Sequence, residues 1–378
     1  VSVTYRLLTC LDDVVALRPA WDDLAAATSD WPTHQPFWAL AWLRRENAGA
    51  LRVMSAWEDH ELVGLAPLEA RRVAGASILR GIGHGAGGLG AVLVRPDSTL
   101  SQVDLLEASL RPGPTLLQLL DVPQDQGVAE ATSGRSTIAR RAADGCPITS
   151  LRLLDDEASW WQKRPGQLKK ALRRGATIAR REQRPITTHL VRQPAELETA
   201  LPEVLALNRR AEQHEQRGDA LCHANVGVTL AGWRAAAAEG RLRLGLCRVD
   251  GRLAAYVAAF RVRRLVSAEA TRYDPELARF SPGSHAILAL FRAAHDEGAE
   301  QISLGLGIGA YKAHWCDQVV WTNDLLGWSH RPLRPLAEAL GRRARPARSR
   351  PADDAPQPAP ATGEATSTEG SGAASPKL

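Results

Sequence analysis

Two stretches of the chain, 191 positions apart, carry the same pattern. Leu51-Arg52-Val53-Met54-Ser55-Ala56-Trp57-Glu58-Asp59-His60-Glu61-Leu62-Val63-Gly64 aligns without a gap on Leu242-Arg243-Leu244-Gly245-Leu246-Cys247-Arg248-Val249-Asp250-Gly251-Arg252-Leu253-Ala254-Ala255. Each reads as a strand, a tight turn and a second strand. Asp250-Gly251 is a strong hairpin signal, because both turn positions tolerate positive φ. At the same offset Trp42 falls on Trp233, each on a predicted helix just ahead of its hairpin. A repeated supersecondary unit restricts the chain to two related modules. We divide it near residue 150, into halves 1–150 and 151–335.

The length of 378 residues allows two domains, and a hydrophobic content of 44% supplies two cores. No apolar run reaches the roughly 20 residues needed to cross a bilayer. The first residues show no basic stretch followed by an apolar core, so a cytoplasmic location is expected. The cysteines, Cys10, Cys146, Cys222, Cys247 and Cys316, are odd in number and no pair has C-x-x-C spacing. Neither a disulfide framework nor a zinc site is expected. His314 and Cys316 lie two apart with no second ligand pair, so no metal is expected. Only Lys163, Lys169, Lys170, Lys312 and Lys377 are lysines, among 47 basic residues. A retained lysine is informative here, because an ammonium and a guanidinium differ chemically.

Residues 336–378 are expected to be a disordered tail. From 342 onward the only large apolar residue is Leu378, among Pro, Ala, Ser, Thr and Gly. Such a segment cannot offset its ordering entropy by burial.

In the first half, helices are expected over 12–27 and 37–47, then strands near 51–57, 61–70 and 76–82. A loop with Gly81, Gly83, Gly85, Gly87, Gly88 and Gly90 leads to a strand at 91–94, a helix at 102–110 and a strand at 115–122. That loop runs into a strand and not a helix, so it lacks the setting in which glycine loops cradle phosphate.

Between the halves, residues 165–184 suit a helix with Pro165 in its first turn. Lys169, Lys170, Arg173, Arg174, Arg180, Arg181 and Arg184 fall within an arc of roughly 140°. Leu168, Leu172, Ala176 and Ala179 lie opposite. From 162 to 184 there are nine basic residues and one acid, a net of +8 in a chain whose total is +5. The rest sums to −3, so the positive charge is local. A face of this kind attracts an anionic partner: phosphate, glycan, nucleic acid or a membrane surface. No aromatics interleave with the basic residues, which argues against base stacking.

The second half carries the chemistry. After the hairpin a strand is expected over 265–273, broken by Asp274-Pro275. A loop leads to Gly283-Ser284-His285 and an amphipathic helix ending at Gly298. A strand follows over 301–306, with a glycine-rich exit and then Ala310-Tyr311-Lys312-Ala313-His314-Trp315. This order resembles the layout of the coenzyme A site of GNAT acyltransferases, in which a helix N-terminus is expected to offer its N–H groups to a pyrophosphate.

The stretch Tyr273-Asp274-Pro275, Phe280-Ser281-Pro282-Gly283, Gly298, Leu304 and Gly309-Ala310-Tyr311-Lys312-Ala313-His314-Trp315 resembles the CelD-like, cellulose-biosynthesis-type GNAT acyltransferases. Pro36-Phe37, Trp42 and the early hairpin resemble their first half. A more distant similarity is to the Fem-type aminoacyltransferases, which also pair two such modules and carry an aromatic-Lys motif. The resemblance implies an α/β (α+β) chain of two tandem GNAT-like modules with mixed sheets. It implies transfer from acyl-CoA, acetyl-CoA in the first place, to a small-molecule or glycan amine in envelope or polysaccharide metabolism. Ser281, Gly283, Ser284 and His285 are the expected cofactor contacts. Tyr311 is the expected proton donor to the leaving thiolate, Glu269 the base, and Lys312 a ligand for substrate or phosphate. The family's loop carries glycine where this chain has Pro282, which removes one N–H donor. Two alternatives are compatible with the same residues: a Fem-like transferase using aminoacyl-tRNA, or a non-catalytic accessory of polysaccharide biosynthesis.

Overall fold

The computed structural model describes residues 2–44, 50–73, 75–83, 88–111, 113–124, 137–215 and 226–344. Strand β1 (Val3–Leu8) is followed by helices α1 (Leu11–Ala16), α2 (Arg18–Thr28) and α3 (Pro36–Leu43). Sequence reading placed one helix over 12–27. Pro19 instead starts a new helix after Leu17, because it has no N–H to continue the first. Strands β2 (Ala50–Leu51), β3 (Val53–Glu58), β4 (Glu61–Ala66), β5 (Leu68–Val73), β6 (Ala76–Gly81) and β7 (Leu93–Val94) come next. Helix α4 (Gln102–Leu110) and the long strands β8 (Thr115–Pro123) and β9 (Ile138–Ser150) complete this part. The glycine loop falls partly outside the described residues, at 84–87.

The chain continues with α5 (Glu157–Gln162), α6 (Gly166–Arg181), β10 (Ile186–Val191), α7 (Pro194–Glu215) and α8 (Val226–Ala238). Then come β11 (Leu242–Val249), β12 (Arg252–Val262), β13 (Leu265–Tyr273), α9 (Pro282–Asp296), β14 (Gln301–Ser303), α10 (Ala310–Ala313), β15 (Gln318–Trp328) and α11 (Arg334–Ala344). Residues 336–344, assigned from composition to the tail, belong to this last helix. Ala337 is buried, Gln118 donates to the Leu340 carbonyl, and Arg141 donates to that of Gly341. Leu333, Ala337 and Leu340 recur at helical spacing and pack around Trp328, a pattern that composition averages away. Residues 345–378 lie outside the described part.

The two predicted hairpins form with one register. Met54 pairs with Ala66, Ser55 with Leu65, Ala56 with Gly64, Trp57 with Leu62 and Glu58 with Glu61. Adding 191 to each number gives the pairs of β11 and β12: Gly245 with Val257, Leu246 with Tyr256, Cys247 with Ala255, Arg248 with Leu253 and Val249 with Arg252. The register shift recurs at the same place, between Ala56 and Trp57 and between Cys247 and Arg248. Asp59 and Asp250 both adopt left-handed φ in the turns, at 53° and 52°.

Most strands join one sheet, in the order β10-β11-β12-β13-β14-β9-β15-β8-β6-β5-β2; β1, β3, β4 and β7 form a second. Outward from the central β9–β15 pair, the same sequence of pairings runs both ways. β9 meets β14 antiparallel, β14 meets β13 parallel, and β13 meets β12 antiparallel. β15 meets β8 antiparallel, β8 meets β6 parallel, and β6 meets β5 antiparallel. The last strand of each module is therefore exchanged: β9 extends the second module's sheet and β15 extends the first's. This is a mixed α/β fold of two tandem modules.

A shared core fastens the modules. Trp21, Trp38 and Trp42 cluster with Trp233, Tyr256 and Phe260, and the Trp38 and Phe260 ring centroids are 5.7 Å apart. The predicted tryptophan pair thus lies in one core, α3 against α8. Trp233 is fully buried, and truncating such a side chain costs about 3–5 kcal/mol. A second cluster fills the opposite face of β11–β13, under α9, with Trp160, Phe291 and Trp315.

Candidate active site

Strands β13 and β14 run parallel but pair over only three positions, Leu265 with Gln301, Val266 with Ile302 and Ser267 with Ser303. Sequence reading extended the second strand to 306. The structure ends it at Ser303, because Gly305 takes a left-handed φ of 76° and turns the chain away. A Cβ at Gly305 would lie 2.5 Å from the Ala268 carbonyl oxygen, so only glycine fits at this point. Beyond it β13 keeps its pairing with β12, while Leu304 and Gly307 donate to the carbonyls of Pro147 and Gly145 on β9. Past this contact the chain leaves β13 to follow β9, and the fork between β13 and β14 is the V.

Helix α9 starts at the open side of this V. Its first turn is Pro282-Gly283-Ser284-His285, preceded by Ser281 in the left-handed region. No side chain caps it; the Ser281 hydroxyl donates instead to the Ala171 carbonyl on α6, at 3.1 Å. No acidic residue occupies the first turn. A Cβ added at Gly283 would meet nothing nearer than Tyr273 Cβ, at 4.0 Å, so space is left in front of the helix. His285 is half-buried and its Nε2 has no hydrogen-bond partner. Burial lowers its pKa, so the ring is neutral near pH 7 and offers a dipole where sequence reading expected an anion contact.

The loop entering α9 is held rigidly. Asp274, fully buried, receives Arg210 and Arg252 and caps the following turn through Glu276 N–H. On the other side Gly175 of α6 lets the helix touch the Phe280 backbone; a Cβ there would lie 2.3 Å from the carbonyl oxygen.

Tyr311 and Lys312 sit on α10, which follows the exit of β14. Tyr311 is 45% exposed. Lys312 points back into the diverging segment, and its Nζ donates to the carbonyls of Leu306 at 2.7 Å and Gly305 at 3.3 Å. Burial brings its pKa down to about 8, with Cys146 and Asp144 acting in the opposite direction. Both of those residues come from β9, the exchanged strand. A Cβ at Gly307 would lie 3.7 Å from an Asp144 carboxylate oxygen.

Glu269 occupies the position where β13 shifts register against β12, since Ala268 pairs with Ala259 and Ala270 with Ala258. A bulge re-aims the side chain it carries. One Glu269 carboxylate oxygen accepts from Trp233 Nε1 at 2.9 Å, which puts it on the α8 face of the sheet, opposite α9. At the V, α9 and Glu269 therefore lie on opposite faces of the sheet.

Several supporting residues escaped sequence reading. Arg164, almost completely buried, lies over Trp160, donates to the carbonyls of Trp315 and Cys316, and pairs with Asp317. It fastens the end of α10 to the start of α6. Nothing local marks it, because its partners lie some 150 residues on. Asp144 is hidden for the same reason. Among the described residues, no three His, Cys, Asp or Glu side chains converge on a metal position, and no helix is long and apolar enough to cross a membrane.

Residues 162–313 match the family model described as an acetyltransferase (GNAT) domain. Among solved structures, the chain is similar to FemX, with a TM-score of 0.61 and 11% identity, over 89% of this chain and 100% of that one. It is also similar to the C-terminal domain of a protein described as a lysylphosphatidylglycerol synthetase, from Agrobacterium fabrum. That match has a TM-score of 0.53 and 12% identity, over 88% of this chain and 95% of that one. Among curated proteins there is no match. At these identities the two structures establish the GNAT fold, and the family match assigns its acetyltransferase domain to the segment containing the V and α9.

Proposed function

We propose that the chain is an acyl-CoA-dependent N-acyltransferase acting on an amine, in the manner of the CelD-like enzymes that its second-half motif resembles. The observation that carries this reading is the uncapped start of α9 at the open side of diverging β13 and β14, inside the GNAT-matched segment. The N–H groups of Gly283 and Ser284 and the positive end of the helix dipole suit a pyrophosphate. The place where β13 and β14 stop pairing, beyond Ser303, suits the amide groups of a pantetheine arm. His285, uncharged, donates or accepts without adding charge. The amine acceptor approaches from the α8 face, where Glu269 receives the proton as the C–N bond forms. The C–S bond breaks, and the Tyr311 phenol, protonated at neutral pH, supplies the departing sulfur with a proton. Lys312 holds the carbonyls of Gly305 and Leu306 in place and so keeps the V open.

Pro282 favours a second reading. With one N–H donor fewer at the helix start, the acyl donor would be an aminoacyl ester on tRNA, with the same attack by an amine. Isothermal titration with acetyl-CoA and longer acyl-CoAs separates the two. Saturable binding of one of them supports the first reading. No heat with any of them in folded protein, together with retention of aminoacyl-tRNA, would replace it by the second.

A further inference from the structure

The basic helix α6 takes no part in the proposed reaction, yet it holds the largest local charge in the chain. Its apolar side is fully committed: Leu168, Leu172, Gly175 and Ala179 are buried against the body. The opposite side exposes Lys170, Arg173, Arg174, Arg180 and Arg181. The arginines that follow β10 in the second module's hairpin region are neutralised. Arg241, Arg243, Arg248, Arg252, Arg261, Arg263 and Arg264 each pair with a carboxylate, so every arginine from 241 to 264 is matched. Among the described residues, Lys170, Arg173, Arg174 and Arg180 have no acidic partner within 4 Å. An open groove of about 440 Å³ runs between these side chains, lined by Lys169, Lys170, Arg173, Arg174, Thr177 and Ile178.

We propose that this face docks the protein on an anionic phospholipid surface. Unpaired cations along one side of a helix, over the 11 residues from Lys170 to Arg180, meet a flat charged plane together. With about 1.5 Å of rise per residue that contact is roughly 16 Å long. The groove has room for a phosphate headgroup between the two lysines and two arginines. No aromatic stands on the exposed side to stack a base, which disfavours a single-stranded nucleic acid. The apolar side is buried in the protein, so the attachment is electrostatic and does not insert. Because Gly175 touches Phe280 and Ala171 receives Ser281, the lipid plane would lie about one helix diameter, roughly 10 Å, from the start of α9. This inference is independent of the donor identity proposed above.

Full-length protein is floated with vesicles of neutral phosphatidylcholine, and of the same lipid with about 30 mol% phosphatidylglycerol, at about 50 mM and 500 mM NaCl. Binding is expected only to the anionic vesicles and only at low salt. Each basic residue near such a surface multiplies the partition about fivefold. Combining Lys170→Glu, Arg173→Glu, Arg174→Glu and Arg180→Glu should then lower it by more than about a hundredfold. The same four positions as Gln form a milder variant, which should lose less but still more than tenfold. Absence of binding by wild-type protein, equal binding by the variants, or binding to duplex RNA in preference to anionic vesicles would overturn the proposal.

Discussion

Helices α4 and α9 occupy the same place in the two modules, each bridging a pair of parallel strands, but their N-termini are finished differently. In the first module Ser101 caps α4, its hydroxyl accepting from Asp104 N–H, and Asp104 adds a negative charge to the first turn. The helix is closed to an anion twice over, by an occupied N–H and by a carboxylate. In the second module α9 has neither. Its nearest hydroxyl, on Ser281, is turned toward α6. The strands differ in the same sense. β6 and β8 pair over four positions and β13 and β14 over three, after which the chain turns at Gly305. The first module uses the architecture for stability. The second has no side-chain cap at the corresponding helix start, and local folding rules are most often relaxed at functional or strained sites.

The largest effect that would break this contrast is at Gly283. A Gly283→Asp substitution places a carboxylate at the open helix start, where space exists for it. Acyl-CoA affinity should fall beyond detection in titration calorimetry, while the melting temperature stays within a few degrees of wild type. Retained affinity would mean that α9 does not receive the pyrophosphate. Tyr311→Phe should lower turnover by about 10²–10⁴-fold with cofactor affinity unchanged, because only the proton donor is removed. A parallel loss of affinity would assign Tyr311 to binding.

A smaller effect sharpens the comparison from the other side. Ser101→Ala should cost about 1 kcal/mol in urea unfolding and leave cofactor affinity untouched. If the variant gained anion affinity at α4, its cap would be guarding a second site. The last test concerns Lys312. Its folded-state pKa of about 8 is below that of an ordinary lysine, so between pH 8 and about 10.5 the unfolded chain binds more protons. Stability relative to Lys312→Met should therefore rise as pH climbs through that window and level off below it. A fall over the same range would contradict a buried, partly deprotonated amine.

Local pattern revealed a good part of this. The two hairpins, their common register and the start of α9 all rest on turn chemistry and alternation within a dozen residues, and the offset of 191 carried from sequence into Cα pairing without change. Lys312 stood out by rarity. The exchange of β9 and β15 did not, because pairings such as Ile148 with Gln318 join residues with no periodic signal between them. Arg164 and Asp144 were missed for that reason. The shortness of β14 depends on Ala268 of a neighbouring strand approaching Gly305, which no one-dimensional pattern records. The α9 start is legible as a helix start; that it is uncapped depends on where the Ser281 side chain turns.

The exchanged strands also set an order of events at the ribosome. β8 finds its outer neighbour in residues 318–328, about 200 positions further along. The first module therefore emerges with one edge open and waits for most of the chain to be made, a time of about 10–40 s at 5–20 residues per second. Nascent chains arrested just before 318 should stay protease-sensitive in β8, and protection should appear once 328 has cleared the exit tunnel. Protection at the earlier arrest point would show that the module closes without its borrowed strand.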